Sequence, residues 1–263
     1  VFDALSSKKR HKKLKHMQMA ALGLIGAIVF HSVIVQAETA ALKALATDGA
    51  SIAFLGDSIT QQGAGPLGYV TLAMAGLSAN GIQCGVVGAG ISGHKSNQML
   101  ARLARDVLEK KPTVMTLSCG VNDVWHGVRG VPLPAFQTNI TAIIDQAQSA
   151  GIHVVILTAT MIKEEPENEA NAQLAGYNDF LRAIAAEKQC LLADVSGDML
   201  ALVRAARAAG NLQNTLTGDG VHMNPQGNRM MATRILRTLG FDDAQLARAE
   251  TAWAQAEAKF KSR

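Results

Sequence analysis

The sequence predicts an α/β fold with a central five-stranded parallel sheet and helices on both faces. Three observations carry this expectation. Five short apolar runs recur along the chain, at 51–55 (SIAFL), 82–87 (IQCGVV), 113–118 (TVMTLS), 153–158 (HVVILT) and 191–195 (LLADV). Stretches of helical periodicity separate them, near 66–80, 95–110, 134–150, 170–188 and 197–209, with another from 225. Strand and helix in alternation build βαβ units, whose strands run parallel. The runs also show little polar alternation, the pattern of strands covered on both faces. Finally, 263 residues with 48% apolar content suffice for one such domain and its core without disulfides or metals.

The chain divides into a leader over 1–37, a linker over 38–50, the α/β body over 51–240 and a C-terminal helix within 241–263. Leu246, Ala249, Trp253, Ala256 and Phe260 recur at helical spacing in that last segment and read as a packing stripe. In the leader, six Lys and Arg residues fall between positions 8 and 15, an apolar stretch covers 17–30, and Val35-Gln36-Ala37 comes after it. A basic region, an apolar region and a small-residue site make up an export signal, which places the mature chain in the periplasm or outside the cell. The alternative is an uncleaved anchor over 17–37, close to the roughly 20 residues a bilayer requires.

The formal charge of +4 belongs to this leader. Without residues 1–37 the chain carries 19 basic and 20 acidic residues, so its body offers no basic groove for nucleic acid. Cys84, Cys119 and Cys190 have no metal-ligand spacing, and an odd number cannot all pair within one chain. Buried free thiols are the expectation. No HExxH or His/Cys cluster points to a metal, and no phosphate-binding glycine pattern points to a nucleotide.

A parallel sheet places ligands in the crevice beyond the carboxyl ends of its strands. The residues just after the runs are therefore the ones to inspect: GDSIT at 56–60, GAGISG at 88–93, GVND at 120–123 and, in the last loop, DGVH at 219–222. In that order these strings resemble the four blocks of the SGNH (GDSL-type) hydrolases, over residues 51 to about 238. Tyr177-Asn178-Asp179-Phe180-Leu181-Arg182 is also similar to that family. The resemblance implies a three-layer flavodoxin-like sandwich and an ester hydrolase without a cofactor. Its substrates would be small-molecule, glycan or lipid esters. An O-acyltransferase, a carbohydrate deacetylase or a non-catalytic carbohydrate-binding relative are the alternatives.

Ester cleavage needs a nucleophile, a base for its proton and donors for the oxyanion. Ser58, in the turn after the first run, is the candidate nucleophile. His222 is the candidate general base, and Asp219, three residues before it, can reach the imidazole Nδ1–H and fix its tautomer. Asn224-Pro225 reads as a helix N-cap with Pro at the first helical position, so His222 is expected just ahead of a rigid helix. The resemblance implies oxyanion donors from the Ser58 and Gly93 backbone N–H groups and the Asn122 side chain. Asp57, Trp125, Met161 and Met223 are candidates for the substrate pocket, and the loop 161–171 for its wall.

Each residue also has a plainer reading. Asp57 and Ser58 could cap a helix, Gly93 and Asn122 could form turns, and Asp219 and His222 could sit on a polar surface loop. His94, His126 and His153 are rival bases, and Cys119 is a rival nucleophile. Gly88 stands where the family often has Asn, which puts the geometry of the second loop in question.

Overall fold

The computed structural model describes residues 47–262. Its sheet has five parallel strands: β1 (Ser51–Gly56), β2 (Gly85–Gly90), β3 (Val114–Ser118), β4 (His153–Leu157) and β5 (Leu191–Ala193). Their order is β2-β1-β3-β4-β5. The expected three-layer, flavodoxin-like arrangement follows from this order. Helices α1 (Ser58–Gly63) and α2 (Tyr69–Ala79) lie between β1 and β2, and α3 (Ser96–Asp106) follows β2. After β3 come α4 (Val121–Trp125) and α5 (Leu133–Ser149), and after β4 comes α6 (Glu169–Glu187). Finally α7 (Val195–Ala208), α8 (Pro225–Thr238) and α9 (Asp243–Lys261) follow β5. One layer groups α2 with α8 and α9, and α8 with α7; the other groups α3, α5 and α6.

Two strands depart from their sequence expectation. The second begins at Gly85 instead of residue 82, in register with Ser51 of β1. It is an edge strand, so Val86 is 55% exposed and the expected cover on both faces is missing there. The fifth is only three residues long, because Asp194 leaves the sheet to cap α7, accepting a hydrogen bond from Gly197 N–H. The helix expected over 66–80 is α2, from Tyr69 to Ala79, and α1 is an additional short helix ahead of it. Ser58–Gly63 carries no apolar repeat long enough to be seen, and the Gly65-Pro66-Leu67 turn separates it from α2.

Of the linker expected over 38–50, residues 47–50 are described, and they are hydrogen-bonded to the chain before β2. Gly49 N–H donates to Gln83 O, Gln83 N–H to Asp48 Oδ1 and Gly85 N–H to Ala50 O. The leader, with its export signal or anchor, lies outside the described residues. Among those described, no helix is long and apolar enough to cross a membrane. The three cysteines are free, but only Cys119 is buried; Cys84 and Cys190, at the entry to the two edge strands, are half-exposed.

In α9 the packing stripe is shorter than its sequence pattern. Leu246, Ala249 and Trp253 are buried, whereas Ala256 and Phe260 are exposed, Phe260 at the wall of an open groove that it shares with Leu72 of α2. Trp253 anchors the contact: it is 1% exposed, and its indole Nε1 donates to Leu72 O at 2.7 Å. Trp253→Ala removes a large buried ring and its hydrogen bond to Leu72 O. Urea unfolding should show a loss of about 3–5 kcal/mol, and a loss below about 1 kcal/mol, the scale of a surface change, would contradict this anchoring role.

Candidate active site

In the 2-1-3-4-5 order the chain turns in opposite directions from β1 and β3, and the crevice opens between their carboxyl ends. Ser58 leaves β1 as the first residue of α1, and Asn122 lies in the first turn of α4, which follows β3. Asp57 caps α1, its Oδ1 accepting Ile59 N–H at 2.9 Å. Gly93 follows β2 at φ +75, a left-handed conformation that favours glycine. Its neighbours are pinned, Ser92 N–H by Gln61 Oε1 and His94 N–H by Ile91 O. Gly88 stays within the regular ladder opposite Phe54, so the missing Asn does not break the strand.

The fourth segment brings the base. Asn224 caps α8 by accepting Gln226 and Gly227 N–H groups, with Pro225 at the first helical position. Ahead of it, an antiparallel bridge between Thr217 and Met223 closes a tight loop, and Gly218 N–H donates to His222 O. Within the loop Asp219 Oδ1 accepts both the Val221 and His222 N–H groups. Its other oxygen lies 2.6 Å from His222 Nδ1, and His222 Nε2 lies 2.9 Å from Ser58 Oγ. Burial pushes the Asp219 carboxyl up, but the hydrogen bonds from the His222 ring and the two backbone N–H groups outweigh it and hold it at about 2. A carboxylate, an imidazole and a hydroxyl in line form a relay able to move a proton from serine to histidine.

Behind Ser58 the site is dry. Asp57 and Asp123 are each 2% exposed. Burial raises the Asp57 carboxyl to about 6; the Ile59 N–H opposes this and the charge of Asp123 adds to it. Asp57 Oδ2 and the His94 carbonyl both accept from Asn122 Nδ2, each at 3.2 Å, which orients that amide. Asp123 in turn accepts from the Ser96 hydroxyl at 2.6 Å and from the Ser96 N–H, tying α4 to the start of α3.

Ser58, His222 and Asp219 thus form one hydrogen-bonded line, and Asp57, next to Ser58 in the chain, holds Asn122 by a separate bond. Trp125 lies on the same short helix as Asn122, three residues on, and is 44% exposed. Met223 is half-buried against the core beside His222. Two pocket candidates need correction. Asp57 is sealed beneath Ser58 and cannot line a pocket. Met161 is 5% exposed and lines a cavity of about 300 Å³ with Asn178, Arg182 and Ser196, whose walls include none of Ser58, Asp219 and His222. The loop 161–171 accordingly walls that cavity.

The rivals are placed elsewhere. His94 Nδ1 accepts from Arg102 Nε at 3.1 Å, and burial together with the Arg102 charge lowers its pKa. His153 is exposed at the start of β4. The Cys119 thiol is 2% exposed, and burial with the nearby Asp123 and Asp57 carboxyls pushes it well up, away from the reactive thiolate. Sequence reasoning missed Arg102. This 6% exposed guanidinium donates to Gly56 O and Ala89 O, clamping the ends of β1 and β2 just before Ser58 and Gly93. An Arg in an amphipathic helix pattern reads as surface, and only the fold shows which carbonyls it meets.

Fold and site together define a carboxylic ester hydrolase. The profile of the GDSL-like Lipase/Acylhydrolase family matches residues 54–230, and the chain belongs to that family, the SGNH hydrolases. It is similar to an acetylxylan esterase of Geobacillus stearothermophilus, 25% identical over 74% of this chain and 95% of that one. It is also similar to the esterase TesA of Pseudomonas aeruginosa, 28% identical over 78% of this chain and 90% of that one. Among solved structures, the acetyl xylan esterase AlAXEase superimposes with a TM-score of 0.68 at 34% identity, covering 71% of this chain and 98% of that one.

The buried carboxyls set a pH dependence. Asp57 is raised, so between about 4 and about 6 the folded state holds a proton that the unfolded state has lost, and stability falls as pH rises through that window. Asp219 is lowered, so its contribution is lost only as pH falls from about 4 towards about 2. Asp57→Asn should flatten the fall between pH 4 and 6 by up to about 3 kcal/mol, leaving the part due to Asp123, also raised by burial. Denaturation midpoints measured across pH 3.5–7 would check this. A slope equal to wild type would show that Asp57 does not titrate there.

Proposed function

We propose that the chain is an exported serine esterase that removes short acyl groups, foremost acetyl, from the hydroxyls of a carbohydrate. The observation that carries this reading is the line from Asp219 through His222 to Ser58, at 2.6 and 2.9 Å. Ser58 Oγ attacks the ester carbonyl while His222 Nε2 takes its proton. The Ser58 and Gly93 N–H groups receive the oxyanion, joined by Asn122 Nδ2 once one of its two N–H groups turns from the His94 carbonyl to the substrate. His222 then protonates the departing sugar hydroxyl, leaving acetyl-Ser58. Water, deprotonated by His222, attacks this ester; His222 then returns the proton to Ser58 Oγ as the acid is released, restoring the serine hydroxyl and the neutral imidazole. No residue in these steps requires a metal or a cofactor.

Openness and an aromatic surface support the carbohydrate as substrate. The side chains of His222 and Asp219 are 29% and 59% exposed, so a bulky alcohol can approach the relay. Trp125, at i+3 from Asn122 on α4, presents an exposed ring on the same helix face as the proposed oxyanion donor, fit to stack on a sugar ring. The acetylxylan esterase names of two relatives point the same way. Export rests on the basic and apolar leader alone.

Two measurements test this reading. Nitrophenyl esters of increasing chain length and acetylated xylo-oligosaccharides should be cleaved with acetyl preferred. Ser58→Ala should abolish turnover, and Asn122→Ala should lower kcat by about 10²–10³ with little change in KM. A preference for long acyl chains would overturn the substrate class, and activity in Ser58→Ala would overturn the mechanism. Separately, N-terminal sequencing of the protein from periplasm or medium should find a start near Glu38. An intact leader in a membrane fraction would mean an anchor instead.

A further inference from the structure

We infer that Glu164 is a positioning residue for the base, holding the loop that carries Asp219 and His222 from outside the four sequence blocks. The inference rests on the triad reading above. Glu164 follows β4 and is 0% exposed. Its two carboxyl oxygens accept the N–H groups of Thr215 and Leu216, at 2.6 and 2.8 Å. Those residues form the entry to the loop. The same entry is held from its other side, because Asn224 Nδ2 donates to Thr215 O at 3.0 Å and Asn224 N–H to Leu216 O. From this fixed base the chain needs only Thr217 and Gly218 to reach Asp219.

Backbone geometry marks the contact as specific. Lys163 and Glu164 are consecutive left-handed residues, φ +65 and +48, although neither is glycine. Such conformations are unfavourable for residues with a Cβ and persist where surrounding contacts enforce them. Here Asn171 and Asn168 enforce them: Asn171 Oδ1 accepts Ile162 N–H, and both side-chain amides donate to Ile162 O. Arg207 also donates to Glu164 O. The strained pair then meets the catalytic loop directly. Gly220, between Asp219 and His222, has φ +94, and a Cβ there would come 2.9 Å from Lys163 Cα.

The geometry thus assigns two functions to one short segment: Glu164 fixes where the loop starts, and Lys163 sets how close its tip can lie. A displacement here would move His222 relative to Ser58 without touching the substrate. Carboxylate chemistry suits the task because it offers two acceptors, whereas an amide would turn one donor against an N–H.

Glu164→Gln in the full mature chain should therefore remain folded but lose about 10- to 10²-fold in kcat, the scale of a misplaced catalytic group. KM should stay within about two-fold, since no ground-state contact is removed. The downfield proton resonance of the His222 Nδ1–Asp219 bond should shift or broaden. Gly220→Ala should give the same kinetic signature from the other side of the contact. In the unmutated protein the Thr215 and Leu216 amides should exchange slowly with deuterium. A folded Glu164→Gln with wild-type kcat and resonance would overturn the inference. If that variant does not fold, wild-type kcat in Gly220→Ala, or fast exchange of the two amides, overturns it instead. An unmutated protein that cleaves no ester, or an active Ser58→Ala, would sink the triad reading itself and is a separate outcome.

Discussion

The contact between Ser58 and His222 joins residues 164 positions apart, and it depends on β1 being paired on both sides. Bonded to β2 and β3 at once, β1 cannot shift along its axis without breaking two ladders. Arg102 adds a lock at its end, where Gly56 O accepts from the guanidinium as well as from the Ile91 N–H. The turn at Asp57 is then delivered in a fixed place, and the helix cap on Ile59 N–H fixes its direction. Ser58 hangs on this support, whereas His222 is carried by the loop ahead of α8.

Two kinds of acid serve the site, distinguished by water. Asp219 lies out in solvent and keeps its charge through three hydrogen bonds that all come from its own loop. Asp57 and Asp123 lie under the serine, where desolvation opposes ionisation. The exposed acid holds the base, and the buried acids hold the scaffold: Asp57 the Asn122 amide, Asp123 the joint between α3 and α4. This separation leaves one link between the two sides, the His222 charge that lowers the Asp57 carboxyl. It also gives the dry side a network whose members are satisfied by short, directional bonds, which is the condition for burying polar groups without large cost.

Much of this was legible in the sequence because it depends on local pattern. The apolar runs mark the strands, and the strings GDSIT, GVND and DGVH mark the loops and helix starts at the sheet's carboxyl edge. Asn224-Pro225 announces the start of α8, and the three-residue spacing of Asp219 and His222 announces their bond. The features hidden from the sequence depend on long-range placement. The position of β2 at the sheet edge, and so the exposure of Val86, is a property of strand order that no run of residues records. The brevity of β5 follows from Asp194 being drawn into a cap, where an apolar run suggests a longer strand. Met161 looked like a site residue because it comes after a strand, yet the loop carries it away to α6 and α7. Glu164 is one charge among several in the loop expected as a pocket wall, and nothing near it in sequence marks partners 51 and 52 residues further along.

The three free thiols bear on the proposed export to a space outside the reducing cytosol. Cys84 and Cys190 enter strands at opposite edges of the sheet and Cys119 leaves its centre, so no two can meet within the molecule. Burial raises all three, Cys190 to about 11 and Cys119 well above its usual value, with Asp48 adding to the rise at Cys84. Disulfide exchange and oxidation proceed through the thiolate, and at neutral pH each of these sulfurs is overwhelmingly protonated. An exported chain would therefore carry its cysteines into oxidising surroundings with no bridge to form within the molecule and little thiolate to start exchange outside it.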